Sequence, residues 1–336
     1  MKVLITGGTG NVGRAVTARL VTKGWDVHVI GLDESFSYPG ATYTICDILN
    51  FADLQQQMQG CSAIVHLAAI SHPMSMAGQD LFHINVSGTY NVFEAAAAKG
   101  IKRVVQASSI NAFGCFWGNT DIRPQYLPID EAHPTFTTDP YSFSKQIVEE
   151  IGDYYWRREG ISSIAFRLPG VWSQERMTDP AVHTQKNEIR DLLNEFASQS
   201  STEQAKRLAD IRTATVTYRQ QKSLEFPASQ ERVPLETFSD DPLFRQYAFD
   251  RFNFWTYIDE RDSAQAMEIG ITADFEGSHT LFINHQHNWL DYDSATLARL
   301  FFPEIAEDQV GLTEAQSLVS IQKAKDLIGF WPEHTF

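Results

Sequence analysis

Five short apolar runs recur along the first half of the chain, at residues 3–5, 27–30, 63–67, 104–107 and 164–166. Their length and β-branched character suit strands covered on both faces of a parallel sheet. The gaps between the first four are long enough for crossovers, and residues 42–45, β-rich but less apolar, form a weaker strand candidate. Helices are predicted over 12–22, 52–58, 88–99 and 142–158. Strands that alternate with helices imply βαβ units and a doubly wound α/β fold, whose ligands sit beyond the carboxyl ends of the strands at the switch point. From about residue 171 to 253 the chain turns polar and the alternation stops. Helical spacing returns at 185–196 and 203–213, and Pro227, Pro234 and Pro242 break the later part of this stretch. A last helix is predicted over 314–327, ahead of Gly329 and Pro332.

The chain's 336 residues fit about two domains, and 43% hydrophobic content excludes disorder and collagen-like structure. With 42 acidic against 27 basic residues the net charge is -15, which argues against nucleic acid or an anionic membrane as partner. No run of 18 apolar residues occurs, and the first strand begins straight after Met1 and Lys2, so no membrane span or signal peptide is expected. Cys46, Cys61 and Cys115 are too few and scattered for a disulfide framework or zinc site, which points to a reducing cytoplasm. His285 and His287 lack a third ligand at metal spacing, so no metal is expected, and His66 reads as a hydrogen-bonded strand histidine.

Two motifs fall where the fold places ligands. Gly7, Gly10 and Gly13 lie between the first strand and the first helix, with Asn11 and Val12 opening that helix. Such a turn brings backbone and helix N-terminus against a pyrophosphate. Asp33 ends the second strand twenty residues after Gly13, where a carboxylate accepts hydrogen bonds from an adenosine ribose. No Lys or Arg occurs between Asp33 and Gly40, so NAD is favoured over NADP. The second motif is Tyr141-Ser142-Phe143-Ser144-Lys145, preceded by Pro140 at an early helix position. Tyr141 and Lys145 then share one face, and an ammonium beside a phenol favours phenolate, a base for a substrate hydroxyl while hydride moves to the nicotinamide. Ser108 and Ser109 close the strand before it.

Together these residues resemble the extended short-chain dehydrogenase/reductase family, the NAD-dependent epimerase/dehydratase group. Asp47-Ile48, His66-Leu67-Ala68-Ala69, Asn85-Val86-x-Gly88-Thr89, Ser108 to Gly114, Tyr257 to Asp262 and Leu327 to Pro332 extend the likeness over nearly the whole chain. The resemblance implies Ser109, Tyr141 and Lys145 as catalytic residues. It implies Gly7, Gly10, Asn11, Val12, Gly13, Asp33, Asp47, Ile48, Leu67, Ala68, Ala69, Asn85, Tyr141, Lys145 and Pro169 around the cofactor, with Asn85 either structural or cofactor-facing. Arg167 matches the position that opens the path to the substrate, and Ser108 is expected to be structural. The implied architecture is a Rossmann-type domain of residues 1–170 and 255–284, with a smaller, mainly helical substrate-binding cap of 171–254 and 285–336. A homodimer joined through a helix pair is implied by the same likeness.

Departures from the family pattern narrow the expectation. Ile110 and Asn111 stand where dehydratases keep the acid that expels water, so a 4,6-dehydratase is not expected. Gly170 and Trp255-Thr256 replace an Asn and an Arg-Asp pair that meet nucleotide and phosphates in nucleotide-sugar epimerases, although Arg245 or Arg251 could substitute. Ser109, Asn111, Trp172 and Trp255 are the substrate-binding candidates; Trp117 would join the two other tryptophans in an aromatic wall, and Cys115, Phe116 and Trp117 either border the pocket or pack as core. The expected function is NAD-dependent oxidation of a secondary hydroxyl on a sugar or uronate. The alternatives are a nucleotide-sugar 4-epimerase with retained NAD and a catalytically inactive NAD-sensing regulator.

Overall fold

The structure, a computed structural model, describes residues 1–222, 224–226 and 233–336. Pro227 lies outside them. Seven parallel strands form one sheet in the order β3-β2-β1-β4-β5-β6-β9, from β1 (Lys2–Thr6), β2 (Asp26–Gly31), β3 (Ala41–Ile45), β4 (Ala63–His66), β5 (Arg103–Ser109), β6 (Ser162–Leu168) and β9 (Ser278–Phe282). A separate parallel pair joins β7 (Gly170–Trp172) to β8 (Tyr257–Asp259). Alternation of side chains explains why the central strands are apolar throughout. Val3 and Ile5 face one core cluster and Leu4 the other; Val105 and Val104 divide in the same way. Full burial of each such side chain contributes roughly 1.5–3 kcal/mol. The weaker candidate, β3, lies at the sheet's edge and is only partly covered, which accounts for its mixed composition.

On one face pack α1 (Asn11–Thr22), α10 (Glu260–Thr272) and α12 (Gln322–Ile328). On the other lie α2 (Phe51–Gln57), α4 (Gly88–Ala98) and α5 (Pro140–Glu159); α3 (Gly78–Phe82) and a π-helical turn, His83–Ser87, lead into α4. The remaining helices, α6 (Gln174–Thr178), α7 (Pro180–Ser198), α8 (Ser201–Gln220), α9 (Leu243–Ala248) and α11 (Ser294–Phe301), contribute to a further core cluster. Among the described residues no helix is long and apolar enough to cross a membrane.

Three features differ from the sequence expectation. The helix expected over 314–327 is confined to Gln322–Ile328, because Val319 bridges to Ile129 and Gln316 to His287, drawing the first part into extended pairing. Strand β9 begins with polar residues and is not among the predicted runs. The core clusters cross the expected domain boundaries: Ile110, Phe113, Leu127 and Ile129 pack with the cap helices, while Ile321, Ala324 and Phe330 pack under the sheet.

Candidate active site

At the switch point the strands β1 and β4 end side by side, and the loops leaving them are fitted to each other. Gly7, at φ +69°, lies so close to the chain after β4 that a Cβ would come 2.5 Å from Ala68 N. Thr6 Oγ1 receives hydrogen bonds from Leu67 N and Ala68 N, both 3.2 Å. The N-terminus of α1 has Gly10 as its cap, with no side-chain bond to its free N–H groups. A Cβ on Gly10 would have Gly7 O at 3.7 Å as its nearest neighbour, so open space remains over the turn. Uncapped donors, a positive dipole end and open space fit a pyrophosphate. Asp33 comes after β2, and hydrogen bonds from Ser35 hold its carboxyl below the usual range, leaving an anion for ribose hydroxyls. The turn after β3 is closed by Asp47, which accepts from Leu49 N at 2.9 Å; buried Ile48 packs against Gly88. These residues fit a dinucleotide.

Beyond this cradle opens a groove of about 390 Å³, within the range of small-molecule sites. It brings together Val12, Leu67, Ala69, Ser109, Asn111, Tyr141, Lys145 and Pro169 from the sequence candidates. Ser71, Leu168, Val171 and Asn253 also line it and are not among those candidates. Ser71 lies two residues beyond Ala69 and could be found by tracing the strand end outward; Asn253 carries no local signal. Of Cys115, Phe116 and Trp117, Phe116 lines the groove, Cys115 is core, and Trp117 packs edge-on against Phe116 at 4.7 Å.

The reacting groups are set by one helix and one strand. Asp139 caps α5 by accepting from Ser142 N at 2.8 Å, and Pro140 occupies its first turn, so Tyr141 and Lys145 stand one turn apart. Burial pushes the Tyr141 phenol up to about 12, a hydrogen bond from Ser109 acting the other way. The sequence expectation that the Lys145 ammonium lowers the phenol is corrected here, because desolvation is the largest influence and raises it. Lys145 Nζ donates to Ala107 O at 2.8 Å, and burial lowers it to about 8, opposed by Glu149. Ser109 Oγ accepts from Asn111 N at 3.1 Å, which fixes the hydroxyl at the start of the 3₁₀ turn. Asn85 holds Ile70 through both amide atoms and donates to Ser144 Oγ at 2.9 Å, tying the loop after β4 to α5.

Several candidates lie elsewhere. Trp255 is 0% exposed, with Nε1 donating to Gln246 Oε1 at 3.0 Å, and does not reach the groove. Phe254 and Trp255 both adopt positive φ, 54° and 49°, and this left-handed turn sends the indole into the core. Trp172 is also buried, against Tyr257, Trp289 and Phe336. The aromatic wall of three tryptophans therefore does not form. Arg167 pairs with Glu149 through Nε and Nη2 at 2.9 and 2.8 Å, and Ser108, which also lines the groove, donates to the same carboxylate. Arg251 is buried on Asp121, and Arg245 is exposed on α9, so neither reaches the groove as a phosphate anchor. His66 Nδ1 meets Thr6 Oγ1 at 2.7 Å and Nε2 meets Thr89 Oγ1 at 2.9 Å. Among the described residues no group of three or more His, Cys, Asp or Glu could hold a metal ion.

Comparison with known proteins agrees with this geometry. The chain is 33% identical over 173 residues to L-arabinose 1-dehydrogenase (NAD(P)(+)) of Haloferax volcanii, covering 50% of this chain and 66% of that protein. It is 31% identical over 172 residues to the UDP-glucose 4-epimerase of Bos taurus, covering 45% and 47%. In both cases the chain spans less than two thirds of the relative's length. In fold it is similar to a short-chain dehydrogenase/reductase superfamily protein from Agrobacterium tumefaciens solved with bound NAD, with a TM-score of 0.64 at 21% identity over 100% of this chain and 93% of that one. The sequence pattern of the NAD dependent epimerase/dehydratase family matches residues 3–211, across the glycine turn, the Ser109 strand end and the Tyr141 helix, and the chain belongs to that family.

Proposed function

We propose that the protein oxidises a secondary hydroxyl of a sugar- or uronate-like substrate with NAD. The observation that carries this reading is the convergence of Ser109, Tyr141 and Lys145 on one groove whose strand-end neighbours, Ile110 and Asn111, supply no acid for dehydration. Gly7, Gly10, Asn11, Val12 and Gly13 would hold the pyrophosphate, Asp33 the adenosine ribose, Asp47 and Ile48 the adenine side, and Leu67, Ala68, Ala69 and Pro169 the remaining cofactor wall. Bound NAD supplies the acceptor for the hydrogen and electron pair leaving the carbinol carbon. Ser109 and Asn111 orient the hydroxyl, and Tyr141 Oη takes its proton. With NAD bound, Lys145, still protonated at neutral pH, would hold the nicotinamide ribose and favour phenolate at Tyr141, which burial governs in the free protein.

Residues 1–170 and 255–284 serve the cofactor and 171–254 and 285–336 the substrate, with the loop after Ser109 shared between them. Exposed Tyr90, Phe143 and Tyr154 on α4 and α5 support a homodimer through this helix pair, and three free cysteines suit a reducing cytoplasm. The test monitors NADH absorbance over free aldoses, uronates and UDP-sugars. Net NADH from a free sugar is expected, and Tyr141→Phe should lower kcat by roughly a hundredfold or more with NAD affinity retained. Unchanged turnover in that variant, or interconversion of UDP-sugars without net NADH, overturns the reading.

A further inference from the structure

The loop over residues 115–122 leaves the turn after Ser109 and carries Phe116 into the groove, with Trp117 facing His72 at a ring distance of 6.5 Å. Its backbone carbonyls turn onto one side chain of the cap. Arg219, on the last turn of α8, is 1% exposed, and its Nη2 donates to Phe116 O at 3.0 Å. Its Nη1 donates to Trp117 O at 3.2 Å, Gly118 O at 3.1 Å and Thr120 O at 3.5 Å, and the guanidinium lies 4.2 Å from the centre of the Phe252 ring. Its Nη2 also donates to Ala248 O at 3.4 Å, and burial brings it down to about 10, opposed by the charge of Asp121. Burying a cation is costly, and only a planar fork reaches several carbonyls at fixed angles. The same loop is held at Asp121, which accepts from Arg251, and packs so closely on Thr138 at Gly118 that a side chain there would collide.

We propose that Arg219 is a positioning residue for substrate selection: by holding the carbonyls of residues 116–118 and 120 it fixes Phe116 as the aromatic wall that borders the bound sugar. This rests on the proposed function. Its Nη1 and Nη2 are spent on the carbonyls of this loop and of Ala248, so it acts through the shape of the wall.

The test compares the full-length protein with Arg219→Lys and Arg219→Gln. It measures kcat and KM for the two best sugars of the panel, NAD affinity by fluorescence, and amide hydrogen exchange of the peptide spanning 113–123. With Gln, KM should rise roughly tenfold and sugar selectivity should change, with kcat and NAD affinity held within about twofold. Exchange in the loop should accelerate. Lys should lie between, because an ammonium keeps the charge and loses the fork. Unchanged KM and selectivity overturn the proposal, as does a joint collapse of KM, kcat and NAD affinity. If the Gln variant does not fold, the Lys variant decides by the same readouts. If the unaltered protein oxidises no sugar, the proposed function fails, and unchanged loop exchange in the variants still overturns the role of Arg219.

Discussion

A Cβ on Gly13 would come within 2.4 Å of Gly7 O and Gly8 Cα, atoms of the backbone that cannot swing aside. A Cβ on Gly10 meets nothing nearer than 3.7 Å, and its φ of -76° suits any residue. The two glycines are therefore small for different reasons, one for packing and one for the ligand's approach. Gly10→Ala should leave the melting temperature nearly unchanged and weaken NAD binding, read by thermal unfolding with and without NAD. Gly13→Ala should lower the melting temperature without any ligand; equal behaviour of the two variants would contradict the distinction. Much of the site was legible at this scale because the glycine turn, Tyr141 and Lys145 are local spacings. The acidity of Tyr141 and the inward turn of Trp255 were not, since both depend on what the rest of the chain buries around them.

Helix α5 shows how an element presents its residues. Asp139 accepts from Ser142 N while nearly enclosed, and burial raises its carboxyl to about 6. At pH 7 the cap is thus ionised at a desolvation cost, whereas an amide keeps the acceptor without the charge. Asp139→Ala should destabilise by about 1 kcal/mol relative to Asp139→Asn in denaturant unfolding at pH 7, and the Asn variant should be no less stable than the native chain. An Ala variant as stable as the Asn variant would remove Asp139 from the capping role. The start of this helix was readable from Pro140 and the Tyr-Lys spacing. The segment before α12 was not, because its apolar positions satisfy a helix and an extended pairing alike, and Ile129, some 190 residues earlier, decides between them.

Across the whole molecule the sheet was legible in its strands and its order of alternation, while β9 and the shared packing of the 110–129 segment were fixed by contacts distant in sequence. A further distant connection, at His66, makes stability depend on pH. Thr6 Oγ1 already accepts from Leu67 N and Ala68 N, so its own proton goes to His66 Nδ1; Thr89 Oγ1 donates to Asn85 O and accepts from His66 Nε2–H. The ring is held neutral between β1, β4 and α4, and burial lowers it to about 3, with Lys145 adding to the effect. An unfolded imidazole takes up its proton near 6.5, and the folded one does so only near 3. Between these values the unfolded chain binds more protons, so stability from this group is present above 6.5 and is lost as pH falls towards 3. Buried Asp139 and Asp250, both raised to about 6, act in the opposite direction, so the total curve mixes the two. The difference between the native chain and His66→Gln isolates the histidine, because the distant carboxyls contribute equally to both. The variant should be less stable at pH 7 by about 1 kcal/mol, having lost one of two hydrogen bonds, and the difference should move by on the order of 3 kcal/mol in the variant's favour by pH 4, reversing its sign. Urea unfolding from pH 7 to 4 measures it, and a gap that stays constant would show that the folded ring takes up its proton as readily as the unfolded one.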